Sequence, residues 1–122
     1  MTGSESGTPA TEENALDRVA GIFDRARERN LGRAHELAGW VKVAEERRLT
    51  ATDRAEAKEV AHQLAGSAGT FGYQAATELA REIEKLFSDG DGASSWASAR
   101  AHVRELVQHL HQPPETDGCP GP

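Results

Sequence analysis

Residues 53–71 read DRAEAKEVAHQLAGSAGTF. Nothing in the stretch forbids a helix, and its apolar side chains recur at three- and four-residue intervals. On a wheel of about 100° per residue with Val60 at zero, Ala57, Ala61, Leu64, Ala68 and Phe71 fall within about 0–100°. That stripe predicts a core-facing helix from about Asp53 to Gly69. Asp53 and Glu56 stand at the spacing of a capping box, although Ser or Thr is the preferred cap. His62 falls at about 200°, some 150° from the centre of the stripe, so it is expected to face water or a partner.

The neighbours of His62 sharpen this. Ala65, Gly66 and Gly69 follow it at helical spacing, Ala55 precedes it, and all are predicted to share its face. Each glycine inside a helix costs about 1 kcal/mol relative to alanine, and the chain uses alanine freely elsewhere. Bare backbone beside an exposed imidazole lets another surface approach closely. That suits a nucleophile that must enter a foreign active site. Two plainer readings stand beside it: an idle surface histidine, and glycines that serve helix packing.

Outward from this helix, all five prolines lie at the two ends of the chain. Leu16, Val19, Ala20, Phe23 and Ala26 form one helical stripe, which Asn30-Leu31-Gly32 is expected to break. Ala34, Leu37, Val41 and Ala44, with Trp40 beside them, form a second stripe ending near Leu49. Thr70-Phe71-Gly72 is expected to turn into a helix carrying Ala75, Ala76, Leu79, Ile83 and Leu86. Ser88–Gly92 reads as a loop, and Ser94 or Ser95 can cap a last helix with Trp96, Val103, Leu106, Val107 and Leu110. Short links make neighbours antiparallel. The expectation is an all-α, antiparallel up-down four-helix bundle over residues 14–111 with an additional N-terminal helix. Residues 1–13 and 112–122 are expected to be disordered tails, which suggests a unit that stands alone.

The 122 residues suffice for one small domain. Five of the 20 acidic residues lie in the two ends, so the body sets 15 acids against 14 bases and lacks the basic face of a nucleic-acid binder. The single cysteine, Cys119, excludes an intrachain disulfide and a cysteine-rich zinc site. No apolar run could span a bilayer and no secretory signal opens the chain, so a cytoplasmic protein is expected, with neither nucleic acid nor membrane as partner.

Residues 61–72, AHQLAGSAGTFG, resemble the signature of histidine-containing phosphotransfer (HPt) domains, His-x-Leu-Lys-Gly-Ser/Ala-x-x-x-x-Gly. The following Leu79-Ala80-Arg81-Glu82-Ile83-Glu84 fits the next helix of that family. The strong part of the match covers about residues 57–87, and the helical plan extends it to roughly 15–111.

The resemblance implies that His62 is the phosphoryl acceptor and Leu64 a core anchor. It implies that Gly66 makes room for the incoming active site and that Gly72 sets the turn. The family's usual lysine, three residues after the histidine, is Ala65 here. Lys58, one turn before His62 and about 40° away on the wheel, could partly replace it; a plain solvated lysine is the simpler reading.

The resemblance further implies a phosphorelay carrier that exchanges a phosphoryl group with receiver-domain aspartates. Its partners would be a response-regulator receiver domain or a hybrid sensor histidine kinase. No cofactor is expected to be bound, and Mg²⁺ is expected from the receiver. Autokinase activity is not expected, since no ATP-binding glycine motif is present. The alternative is a degenerate, non-catalytic adaptor that binds a signalling partner, with Ala65 as its mark. A metal-binding bundle using His102, His109 or His111 is a third reading without an evident third ligand. Asp89-Gly90-Asp91-Gly92 lacks the remaining acids of a calcium loop and reads as a linker.

Overall fold

The computed structural model describes residues 15–115 with their side chains. Its helices are α1 Gly3–Glu46, α2 Ala51–Thr70, α3 Gln74–Asp89 and α4 Ala93–Leu110, with no strand among the described residues. α1 packs on α2 and α4, and α3 packs on α2 and α4. The helices therefore form a ring in chain order, with α1 diagonal to α3. This is the expected all-α bundle.

The additional N-terminal helix is not separate. α1 runs unbroken through Asn30-Leu31-Gly32, where local composition predicts a break. The reason is tertiary. Asn30 is buried, its amide donates to Ser67 Oγ on α2 at 3.1 Å, and its carbonyl accepts from Arg33 at 2.8 Å. With its polar atoms so engaged, the side chain does not compete for its own backbone. A Cβ built on Gly32 would meet nothing within 4 Å, so the glycine costs only its propensity.

α1 has 44 residues against 16 to 20 in the others. Leu16, Val19, Ile22 and Phe23 on its first half are exposed. Phe23 meets Phe71 edge-to-face, with ring centroids 5.1 Å apart.

α2 starts earlier than expected. Thr50, not Asp53, is the N-cap: its hydroxyl accepts from the Asp53 amide at 2.9 Å, and the Asp53 carboxylate accepts from the Thr50 amide at 3.1 Å. The backbone hydrogen bond from Thr50, with help from Arg47, holds the Asp53 carboxyl below its ordinary value. α4 also departs from expectation. Gly92, with φ at +86°, is its N-cap, while Ser95 bonds back to Asp91. A residue with a Cβ cannot adopt that left-handed backbone cheaply, which explains the glycine.

Four alanines of α2, at positions 57, 61, 65 and 68, are buried with Leu64. Small side chains here let α1 and α3 approach α2 closely, and the bulk of the core comes from Leu37, Ile83, Phe87, Leu106 and Leu110. Trp96 is buried against Phe87, and Arg54 lies 5.6 Å over its ring. The same guanidinium donates to the Phe87 and Gly90 carbonyls, closing the end of α3.

Of the expected disordered tail at 1–13, residues 3–13 belong instead to α1, while residues 1–2 and 116–122 lie outside the described residues. Residues 112–115 are described, and they are anchored. The Glu115 amide donates to the Gly72 carbonyl at 2.9 Å. Its carboxylate accepts from the Ala75 amide at 3.2 Å. α3 has no side-chain cap from its own N-cap residue, Tyr73. Glu115 fills that role with a negative charge at the positive end of the helix.

Candidate functional site

His62 lies midway along α2 and its side chain is 71% exposed. The residues that hold it there are those of the buried stripe: Ala57, Ala61, Leu64, Ala65 and Ala68. Leu64 is fully buried, as expected of an anchor. Val60 and Phe71 are only half-buried. The buried stripe is thus centred nearer about 80° on the wheel used above, leaving His62 about 120° away. α2 is wedged between two helices, so its core face extends past Ala61 toward Ala65.

That shift corrects one expectation. Ala65 is 4% exposed and belongs to the core, not to the open surround of His62. Its carbonyl accepts from the buried Thr77 hydroxyl of α3 at 3.0 Å.

Gly66 is exposed, and a Cβ built on it would meet nothing within 4 Å. No packing need accounts for that glycine, so the face one turn after His62 is open. Gly69 differs. It is exposed, yet a Cβ there would lie 3.2 Å from Thr77 Oγ1, so its small size serves the close approach of α2 and α3. Gly72 is buried with φ at +88° and makes the turn into α3, donating to the Gly69 carbonyl. Lys58 is half-buried and makes no ion pair among the described residues.

The structure adds Glu84. Its carboxylate lies 3.4 Å from His62 Nδ1, across the α2–α3 seam, with 30% of the side chain exposed. The separation is within ion-pair reach and longer than an ordinary hydrogen bond. An acceptor on this side favours the tautomer with the proton on Nδ1, which leaves the lone pair on Nε2. The helix register could have revealed the pair. Two turns back along α2 from Gly69, and two turns on along α3 from its contact Thr77, lie His62 and Glu84.

Glu84→Ala is therefore expected to lower the Nδ1–H population of neutral His62, read from long-range ¹⁵N–¹H correlation spectra, with the helical circular dichroism unchanged. An unchanged tautomer ratio would show that the carboxylate does not orient the ring.

The other histidines are scattered. His35 and His111 are exposed, while His102 and His109 are half-buried on α4. Among the described residues, no group of three or more His, Cys, Asp or Glu side chains is placed to hold a metal ion. No helix among them is long and apolar enough to cross a membrane.

The site thus offers one outward imidazole, a carboxylate 3.4 Å from its Nδ1, and an open glycine beside it. No curated protein and no solved structure matches the chain. The Hpt domain matches residues 22–113, which span all of α2, α3 and α4 and the part of α1 that packs on them. On that match, and on the bundle that carries it, the chain belongs to the Hpt domain family of phosphorelay proteins.

Proposed function

We propose that this chain is a phosphoryl carrier of a two-component phosphorelay, with His62 accepting a phosphoryl group from one receiver-domain aspartate and donating it to another. The observation that carries this reading is the exposed His62 ring with Nδ1 turned toward Glu84.

Nε2 of the neutral ring attacks phosphorus in line, the N–P bond forms, and the P–O bond to the receiver's aspartate breaks. The aspartate leaves as carboxylate. The Nδ1 proton stays in place, so the phosphorylated ring is cationic and faces the Glu84 carboxylate, which stabilises it. Transfer in the other direction retraces these steps. Phosphoryl transfer needs its charge neutralised, and the receiver supplies Mg²⁺. Lys58, one turn before His62, is the nearest cation of α2 in sequence and takes part of the role that the family's lysine fills. The carrier works in the cytoplasm, where its partners are a receiver domain or a hybrid sensor histidine kinase, and it has no autokinase activity.

Ala65 supports a second reading, a non-catalytic adaptor, because the position of the usual lysine is here a buried methyl. Incubation with a radiolabelled, phosphorylated receiver domain and Mg²⁺ separates the two. A carrier takes up acid-labile, alkali-stable label, and ATP alone gives none. An adaptor binds receivers and takes up no label from any receiver of the same organism.

Gly66→Phe tests the open face. Gly66 is exposed and a Cβ there meets nothing within 4 Å, so stability is expected to change by less than about 1 kcal/mol. Bulk beside His62 is expected to slow transfer at least tenfold. Wild-type transfer by this variant would show that no partner surface closes over Gly66.

A further inference from the structure

Diagonally across the bundle from the α2–α3 seam, α1 and α4 leave a groove of about 600 Å³ between them. Its floor is apolar: Val41 and Val103 are core residues that reach it, and Val107 packs beside them. Its rim carries three cations and one acid. Lys42 and Glu45 stand on the α1 side, with Arg100 and Arg104 on the α4 side. Arg100 is paired with Glu45, whereas Lys42 and Arg104 make no ion pair among the described residues. On a chain of net charge −6, this is a local positive field around an apolar trough.

From this arrangement we infer that the α1–α4 groove is a second docking surface, and that its occupant is an acidic amphipathic helix of a partner protein. The floor carries no large side chain, so it accepts the ridge of a helix instead of a single anchoring ring. The stretch from Ala38 to Glu45 covers about two helical turns, or about 11 Å. Apolar side chains of the occupant at i, i+3 or i+4, and i+7 fit that length. Glutamates or aspartates on its two shoulders meet Lys42 on one side and Arg104 on the other. The opposite charge also speeds encounter and rejects basic helices. Because the groove and His62 lie on opposite sides, a receiver on the α2–α3 face leaves the groove free. Such a helix could therefore hold the carrier near a kinase or receiver while His62 exchanges phosphate. The groove requires no chemistry at His62, so this surface can exist whether the chain is a carrier or an adaptor.

The test uses the full chain, ¹⁵N-labelled, and a synthetic 15-residue helical peptide with leucines on one face and glutamates on both shoulders. The expected result is chemical-shift change confined to residues 38–45 and 100–108, with at least tenfold weaker binding by a lysine-shouldered peptide. Lys42→Glu with Arg104→Glu, both at exposed positions, is expected to weaken glutamate-peptide binding at least tenfold. It should leave phosphoryl transfer to His62 unchanged.

Equal binding of the two peptides, shifts elsewhere, or no binding overturns the inference. So does binding of oleate micelles at the groove in place of the peptide. Sedimentation that shows dimers of the free chain, broken by the same double variant, would assign the groove to a second copy and overturn it as well.

Discussion

His62→Gln takes up no label from a phosphorylated receiver, while its helical content and melting midpoint match the wild type. Two features set the size of this effect. His62 carries the reactive nitrogen of the proposed transfer, and glutamine has no nucleophilic nitrogen lone pair to replace Nε2. No other histidine shares its full setting: exposed His35 on α1 has an open glycine one turn on, Gly39, but no carboxylate within ion-pair reach among the described residues, and neither do His102, His109 and His111 at α4. The fold is spared because the ring is 71% exposed and its polar contact among the described residues is Glu84. Exposed substitutions of that kind change stability by within about 0.5 kcal/mol. Glutamine can still donate to the carboxylate. Undiminished labelling of His62→Gln would remove His62 as acceptor, and with it the proposed chemistry.

Phe87→Ala is expected to act in the opposite way, on the fold and not directly on the chemistry. Phe87 is fully buried on α3 and meets the Trp96 ring of α4 at 5.6 Å between centroids. Its removal loses the transfer energy of the ring and leaves a cavity among Trp96 and the neighbouring core, a cost of about 3–5 kcal/mol. A domain of this size has only about 5–15 kcal/mol in hand, so urea unfolding should show a much lower midpoint. The melting temperature should fall by at least about 12 °C. A loss below about 1.5 kcal/mol would mean that the α3–α4 seam closes over the gap. At temperatures where this variant stays folded, Glu84, one turn away, is expected to keep its place beside His62, and the proposed transfer to continue.

Most of α2 is legible in the sequence alone. Leu64, Gly66 and His62 lie on one helix, where a single period relates them, and Gly72 follows at the turn. The family motif covers the same residues. What the period does not reveal depends on a second helix. Glu84 reads as a helix surface residue, but its meeting with His62 needs the register of α3 against α2. Ala65 falls on the wrong side of the wheel when Val60 and Phe71 enter the stripe with full weight, because packing between α1 and α3 draws the core face the other way. Asn30 looks like a helix breaker because Ser67, which satisfies it, is distant in sequence. Glu115 belongs to an end whose composition suggests no structure, and only the turn at Gly72 and the bare first turn of α3 give it work. In each case local propensity is overruled by a partner that the chain brings from elsewhere.

His62 and Glu84 sit on two helices joined by Phe71–Tyr73 alone. Their meeting closes a short loop, which carries little entropic cost and belongs to the fast, local class of folding contacts. During synthesis the pair can thus come together before α4 has left the ribosome, with α1 already out, and α4 then completes the bundle. The same topology makes the chain unequally tolerant of inserted residues. Lengthening the link between α3 and α4 leaves the pair in register. One extra residue propagated through α3 from the tight turn would swing its carboxylate by about 100° and part it from His62 without replacing either side chain.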